Sequence, residues 1–357
     1  MFIIDIQRCL LYITSHEKQN LTKKQNDAEV ASDLGEPLAA VELWERVNMN
    51  ALPVSVVIPA LNEESCIARC LLSVLDQDFP HDQMEIIVVN NGSTDATASV
   101  ARQFSVQVVD ELRTGVARAR NAGIRAAQGE IVAFIDADCV AKPNWLRELL
   151  SGPDDEKIVC FVGDILPMPG RGLIADFVHD RRLISQETLL SASPPVAAGA
   201  NIAYRKSVFK EIGYFDETFL EGEDGDFFWR LVRSDRFHIR FQRCAVVLHP
   251  HPSSLSVLLR RTRLEGRGLA RFRLKYRDDI PEHMTSLSRY AIVLVTTLAG
   301  CIKYPLGVWK ERKNGLGLAR IFAYPFLDKA YSISLMTGVL CELARAWGGR
   351  KDRNLCQ

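Results

Sequence analysis

The sequence lacks three features that would assign it to a common class: an excess of one charge, paired metal-binding cysteines and a long apolar run. Its 44 Lys and Arg residues balance 44 Asp and Glu residues, so overall charge gives no indication of nucleic-acid binding. The nine cysteines include no C-x-x-C pair, and no His-rich spacing accompanies them. Such an odd, unpatterned set indicates a reducing compartment and disfavours a disulfide framework or a zinc site.

Each apolar segment is shorter than the roughly 20 residues that a membrane-spanning helix needs. Residues 1–13 are interrupted by Asp5 and Arg8 and lack the basic start and cleavage site of a signal peptide, so we expect a simple N-terminal helix, with an amphipathic anchor as the alternative. Residues 291–302 and 330–341 are expected to form a helical hairpin that lies on or dips into a membrane. The alternative is that they are buried helices packed on the domain.

Composition and length are those of a globular protein with a sizeable core. Apolar residues make up 47% and charged residues 25% of the 357 residues. Length alone predicts roughly two domains. We predict an N-terminal extension and linker at residues 1–52, an α/β domain at 53–277, and a C-terminal helical, membrane-associated region at 278–357.

Strand-like and helix-like segments alternate through the first half of the α/β domain. Short apolar runs rich in β-branched residues are typical of buried strands in parallel sheets. The alternation predicts a doubly wound, mostly parallel, Rossmann-like sheet with right-handed crossovers, and it breaks beyond Trp145. The predicted strands are 54–59, 85–89, 106–109, 131–135, 158–166, 198–204 and 239–248, and the main predicted helices are 67–75, 96–103, 115–128, 207–212 and one from 223.

The segment EIVAFIDADC, residues 130–139, organises the predicted domain. Its apolar strand ends in Asp136 and Asp138, which share a face because side chains two apart on a strand point the same way. Ligands of open α/β sheets bind outside the carboxyl ends of the strands, and magnesium is typically held there by carboxylates and substrate phosphates. The segment therefore predicts a metal–diphosphate site. The alternative is a solvated loop with an acidic helix cap before Pro143.

Amides follow two other predicted strands at the same edge of the sheet. Asn62 comes soon after the first strand, and Asn90 and Asn91 come directly after the second. Because the carboxyl ends of parallel strands meet at one edge, these residues and the two aspartates are expected to line a single cleft.

A basic stretch follows the predicted domain core. Eight Arg and Lys residues fall within residues 260–277, opposed only by Glu265 and interleaved with apolar residues. A basic amphipathic helix indicates a membrane surface or a phosphorylated acceptor. The alternative is a solvated face over a core stripe, and Gly266 and Gly268 predict a break in the helix.

Seven motifs, in order, carry a resemblance to a known family. Together they resemble the family 2 glycosyltransferases of the GT-A fold, from Val54 to about Arg271. The motifs are VVIPALNEE (56–64), NNGSTD (90–95), ARNAG (119–123), GEIVAFIDAD (129–138), GANIAYRKS (199–207), GYFDE (213–217) and EDGDFFWRL (223–231).

The resemblance implies transfer of a sugar, with inversion, from a nucleoside diphosphate donor to a hydroxyl acceptor. Together with the basic stretch and the apolar runs, we predict a glycan or polyprenyl-linked acceptor and an active site at the cytoplasmic face of a membrane. The resemblance also implies Mg²⁺ or Mn²⁺ at Asp136, Asp138 and His249, with His251 competing for the third position. The alternative for the histidine is a capping or packing role. Asp224 falls at the position of the catalytic base; the alternative is an acid-rich helix N-terminus. The implied donor-binding residues are Pro59, Ala60, Leu61, Asn62, Glu63, Asn90, Asn91, Arg120, Asp136 and Ala137.

Two of these residues invite a second interpretation. Arg120 is expected to meet donor phosphates, and the alternative is a solvated helix face. Asn90, followed by Asn91, stands where the family often has a base-reading acid. An amide can bond a pyrimidine edge as donor and acceptor, so the choice of nucleotide stays open.

Two other functions compete with this prediction. A sugar-phosphate nucleotidyltransferase should carry a glycine-rich loop after the first strand, where this chain has Pro59-Ala60-Leu61-Asn62. A non-catalytic nucleotide-binding scaffold is disfavoured by the presence of Asp136, Asp138 and Asp224.

Overall fold

The computed structural model describes residues 54–153, 155–169, 172–279 and 318–354. The predictions for residues 1–52 and for the apolar run at 291–302 lie outside this part of the chain.

The first half of the domain is a parallel sheet covered by helices, as the alternation predicts. Strands β1 to β4 pair in the order β3-β2-β1-β4, and every pair is parallel. Residues 56–58 at the centre of β1 are fully buried, which explains the unbroken apolar run. The elements are β1 Val54–Ala60, α1 Ile67–Leu75, β2 Met84–Asn90, α2 Thr97–Ala101, β3 Gln107–Asp110, α3 Val116–Ala126 and β4 Ile131–Ile135.

The second half is mixed, so the whole is an eight-stranded mixed α/β sheet rather than a simple doubly wound one. Strand β7 runs antiparallel to both β4 and β6, and β8 pairs parallel to β6 and antiparallel to β5. The elements are β5 Val140–Ala141, α4 Trp145–Leu149, β6 Ile158–Pro167, α5 Leu173–Asp180, α6 Gln186–Leu190, β7 Asn201–Arg205, α7 Val208–Glu211, α8 Glu223–Arg233 and β8 His238–His249.

Two long helices complete the described chain: α9, Leu255–Lys275, and α10, Leu318–Asn354. The predicted break at Gly266 and Gly268 is wrong, because α9 continues through both. A Cβ on Gly266 would collide with the carbonyl oxygen of Leu335, and one on Gly338 with that of Arg263. These glycines therefore let α9 and α10 approach backbone to backbone.

Some basic side chains of α9 form ion pairs within the protein instead of pointing into solvent. Arg267 and Arg271 each lie 3.4 Å from a carboxylate oxygen of Glu342 on α10, whereas Arg260 and Arg263 are exposed. Half of the apolar run at 330–341 is buried. Among the described helices, none has the length and apolarity needed to cross a membrane.

Candidate functional site

A cavity of about 780 Å³ opens at the carboxyl ends of β1 and β4. Helices α3, α8, α9 and α10 supply its other walls. The structure brings most of the residues singled out in the sequence to this one cavity, as expected for the edge of a parallel sheet. Those that line it are Pro59, Ala60, Leu61, Glu63, Asn91, Arg120, Asp136, Ala137, Asp138, Asp224 and His249.

Asn62 and Asn90 do not line the cavity. Asn62 adopts φ of 58°, and its Oδ1 accepts a hydrogen bond from the backbone N–H of Thr94 at 2.8 Å. Asn90 donates from Nδ2 to Asp110 Oδ1 at 2.7 Å and accepts at Oδ1 from the N–H of Ser93. Asn62 therefore joins the loops after β1 and β2, whereas Asn90 joins the ends of β2 and β3 and orders the loop that follows β2.

Asn91 lines the cavity, but its side-chain amide is bonded within the protein. Its Nδ2 donates to the carbonyl oxygen of Arg113 at 2.9 Å, and its Oδ1 accepts from the N–H of Gly115 at 2.7 Å. Gly115 has φ of 141°, which favours glycine, and it directly precedes α3. Asn91 thus fixes the start of the helix that carries Arg120.

Asp138 and His249 meet at the floor of the cavity. One ligand atom from each, together with the thiol of Cys139, lies within 4.8 Å of the others. His249 is buried, and its Nδ1 has no hydrogen-bond partner. A buried, unpartnered imidazole nitrogen beside a carboxylate fits a divalent cation. His251, the competing candidate for the third metal ligand, does not line the cavity.

Asp136 faces a different partner. Its Oδ1 lies 3.3 Å from Nη2 of Arg120, and the same guanidinium contacts Glu223 through Nη1. Arg120 is buried, and a Cβ on Gly199 would run into its guanidinium. Burial raises the pKa of Glu223 above its usual range, against the opposing effect of Arg120. The structure thus commits Arg120, expected at the donor phosphates, to two carboxylates.

Asp224 lies in the first turn of α8 and faces the cavity. Its Oδ2 accepts from the N–H of Gly199 at 2.9 Å, and its Oδ1 accepts from the N–H of Gly225 at 2.8 Å. Two backbone donors therefore orient one carboxylate that lines the cavity.

Two carboxylates and one cation that line the cavity were not predicted as site residues from the sequence. Burial, with Asp224 and then Glu265 as neighbouring charges, raises the pKa of Glu221 to about 7. Arg261 approaches Asp138 Oδ2 to 3.6 Å, and Glu265 accepts from the hydroxyl of Tyr331 at 3.0 Å. The four-residue spacing of Arg261 and Glu265 on one helix face was the available signal.

Asp226, two residues beyond Asp224, is a structural residue. It is fully buried and accepts from Arg230 Nε at 3.0 Å, Lys275 Nζ at 2.6 Å and the Tyr276 hydroxyl at 2.8 Å. These bonds tie α8 to the end of α9.

We expect Asp226→Ala to lower the free energy of unfolding by about 3 kcal/mol, because it removes three hydrogen bonds to a fully buried carboxylate and leaves the hydroxyl of the buried Tyr276 without this acceptor. Urea denaturation followed by circular dichroism measures the loss. Asp216→Ala is the matched control: it also removes a carboxylate bonded to Lys275, but one that is partly exposed, so about 1 kcal/mol or less is expected. Equal, small losses in both variants would contradict the assignment.

Residues 55–213 match the family described as Glycosyl transferase family 2. Glycosyltransferase AglE from Haloferax volcanii is 30% identical over 205 residues, which cover 55% of this chain and 66% of that protein. Probable glycosyltransferase YdaM from Bacillus subtilis is 29% identical over 243 residues, covering 62% and 57%. The matches thus span less than two thirds of the length of these relatives.

A solved structure shares the fold. The mannosyltransferase PcManGT from Pyrobaculum calidifontis, in complex with GDP-Man and Mn²⁺, superposes with a TM-score of 0.58 at 19% identity. The match covers 85% of this chain and 94% of that one. The similarity shows the mixed α/β architecture expected of a GT-A protein.

Proposed function

Because the chain belongs to the family 2 glycosyltransferases through its domain at residues 55–213, we propose that it transfers a sugar, with inversion, from a nucleoside diphosphate sugar to a hydroxyl of a glycan or lipid-linked acceptor. One observation carries the proposal: the Asp138–His249 group and the Asp224 carboxylate face a single cavity. A displacement at a sugar carbon needs charge compensation for the leaving diphosphate and, opposite it, a base for the incoming hydroxyl.

Asp138 and His249 would hold the divalent cation, and Asp136 lines the same cavity. When bound, a cation of this kind compensates the negative charge that develops on a leaving phosphate. The Mn²⁺ and GDP-Man of the similar mannosyltransferase support a cofactor and a donor of this class. Arg261 lines the cavity and lies 3.6 Å from Asp138 Oδ2. Its guanidinium can therefore pair either with this carboxylate or with a phosphate of the donor.

The chain's own groups account for the acceptor side. Asp224 accepts the proton of the acceptor hydroxyl, and the N–H groups of Gly199 and Gly225 keep its carboxylate in place. The buried guanidinium of Arg120 pairs with Glu223, the residue before Asp224, and also with Asp136. It therefore links the turn that carries the base to the end of β4.

A panel of nucleoside diphosphates and their sugars, each with Mn²⁺ or Mg²⁺, tests the proposal. We expect one nucleotide to raise the melting temperature only when metal is present, since ligand binding stabilises the native state by mass action. The matching sugar nucleotide should be slowly hydrolysed. Pyrophosphate release from a nucleoside triphosphate and a sugar phosphate would instead favour a nucleotidyltransferase. Stabilisation by a nucleotide without hydrolysis of any sugar nucleotide would favour a non-catalytic nucleotide-binding scaffold.

We also propose that the protein acts at the cytoplasmic face of a membrane. Four exposed apolar residues, spaced four, seven and seven apart, share one face of α10. That face lies opposite the one that packs on α9 through Gly338. The residues, with their exposed fractions, are Phe322 (57%), Phe326 (53%), Ile333 (40%) and Leu340 (46%).

In the full chain, Phe322→Gln combined with Phe326→Gln is expected to reduce co-sedimentation with anionic phospholipid vesicles several-fold, because aromatic side chains anchor helices at the interface. Leu112→Gln serves as the control, since Leu112 is 85% exposed on the loop after β3. Equal sedimentation of the double variant and the control would show that this face does not meet lipid.

A further inference from the structure

The cavity changes character beyond Asp224. The part next to the sheet carries the polar side chains of Glu63, Asp136, Asp138 and His249, whereas the part enclosed by α6, the loop before β7, α9 and α10 is mostly apolar. Its apolar lining includes Leu189, Pro194, Val196, Leu269, Phe272 and Leu335. The polar groups among these walls include Glu265 and Tyr331, which bond each other at 3.0 Å.

This apolar wall begins directly beside the proposed base. A Cβ built on Gly225, the residue after Asp224, would lie 3.4 Å from Cγ1 of Val196. The N–H of Val196 donates to the carbonyl oxygen of Leu189 at 3.1 Å, which closes the loop that carries the wall. Val196 therefore lies beside the turn that carries Asp224 and lines the same cavity as this carboxylate.

A polyhydroxylated chain fits such a wall poorly. Hydroxyls turned toward Leu and Val side chains lose water without gaining partners, which opposes binding. Each buried methylene, by contrast, strengthens binding about fourfold. Leu220, exposed to 59%, continues the apolar lining at the cavity surface.

We propose that this part of the cavity is an acceptor subsite for an apolar group that is linked to the accepting hydroxyl. The inference rests on the proposed function, since it assumes that Asp224 receives the acceptor. It assigns the acceptor to amphiphiles, in which a polar head reaches Asp224 and an apolar body lies between α6 and α9.

Binding of alkyl and aryl glucosides to the full chain, saturated with its nucleoside diphosphate and metal, tests the subsite. We expect octyl glucoside, below its micelle-forming concentration, to bind at least tenfold tighter than methyl glucoside. Phenyl glucoside then distinguishes two kinds of apolar group in the acceptor. An affinity close to that of octyl glucoside indicates a flat aromatic group, and an affinity close to that of methyl glucoside indicates an alkyl chain. Equal affinities for the methyl and octyl compounds, or no binding of either, would overturn the inference.

Two variants locate the effect. Leu189→Asn and Leu220→Asn should each reduce the preference for octyl over methyl several-fold, and the exposed Leu220 can be changed without touching the core. Leu72→Asn, at a residue 59% exposed on α1, should leave the preference unchanged. An octyl preference that neither cavity variant reduces would place the alkyl group elsewhere. Wild-type hydrolysis of the sugar nucleotide is measured in parallel, so loss of the proposed function is distinguishable from loss of the subsite.

Discussion

Asp138→Asn is expected to abolish metal-dependent stabilisation by a nucleoside diphosphate while the fold survives. The amide keeps the shape of the carboxylate but loses the charge that a hard divalent cation requires, so metal affinity should fall by at least about 100-fold. The fold depends little on this charge. Its ion-pair partner Arg261 is 41% exposed and 3.6 Å away, a contact that contributes at most about 1 kcal/mol.

Thermal shift with and without metal, at a saturating concentration of the nucleotide, measures this loss. Arg261→Gln is the reciprocal variant: it removes a cation that competes for Asp138, so metal alone should bind more tightly than to wild type. Metal-dependent stabilisation of Asp138→Asn equal to that of wild type would refute the metal assignment.

The sequence predicted the location of the site well, because its evidence was local. The strands ending at Ala60, Asn90 and Ile135 are short β-branched runs, and a parallel arrangement brings their carboxyl ends to one edge. The side-chain directions were harder to predict. Asp136 and Asp138 were expected on one face, but β4 ends at Ile135, so the two-residue period of a strand no longer holds beyond it.

The features that the sequence did not predict depend on contacts between residues that are distant in the chain. Arg261 follows Asp138 by more than a hundred residues, and no local pattern links a basic helix to an aspartate in a strand-end loop. The antiparallel strand β7 likewise enters between β4 and β6 from a distant part of the chain. The apolar run at 330–341 could not be distinguished from a membrane segment by composition. Close approach at Gly266 and Gly338 buries half of it against α9.

The neighbours of Asp224 decide how its role can be tested. Glu223 contacts the buried guanidinium of Arg120, so Glu223→Gln would disturb stability and is a poor control for catalysis. Asp226 is likewise bonded to Arg230, Lys275 and Tyr276. Glu221 is the remaining carboxylate of this turn, and it lines the cavity with a pKa of about 7.

Asp224→Asn is expected to lower the transfer rate by about 10²–10⁴-fold, the usual contribution of a positioned general base. The amide oxygen can still accept from the N–H of Gly199, so the turn should keep its shape and the nucleotide its affinity. A fall in kcat with donor binding intact marks an interaction made in the transition state.

Glu221 is the rival candidate for the base. We expect Glu221→Gln to change the transfer rate by less than tenfold. The pH profile separates the two bases in the wild-type protein. If Glu221 were the base, the rate would rise with pH through about 7 as its carboxyl loses the proton, and Glu221→Gln would remove that rise. If Asp224 is the base, Glu221→Gln keeps most of the rate, and Asp224→Asn loses it at every pH. A near-normal rate in Asp224→Asn together with a collapse in Glu221→Gln would move the base three residues toward the N-terminus and leave Asp224 as an acidic residue of the first turn of α8.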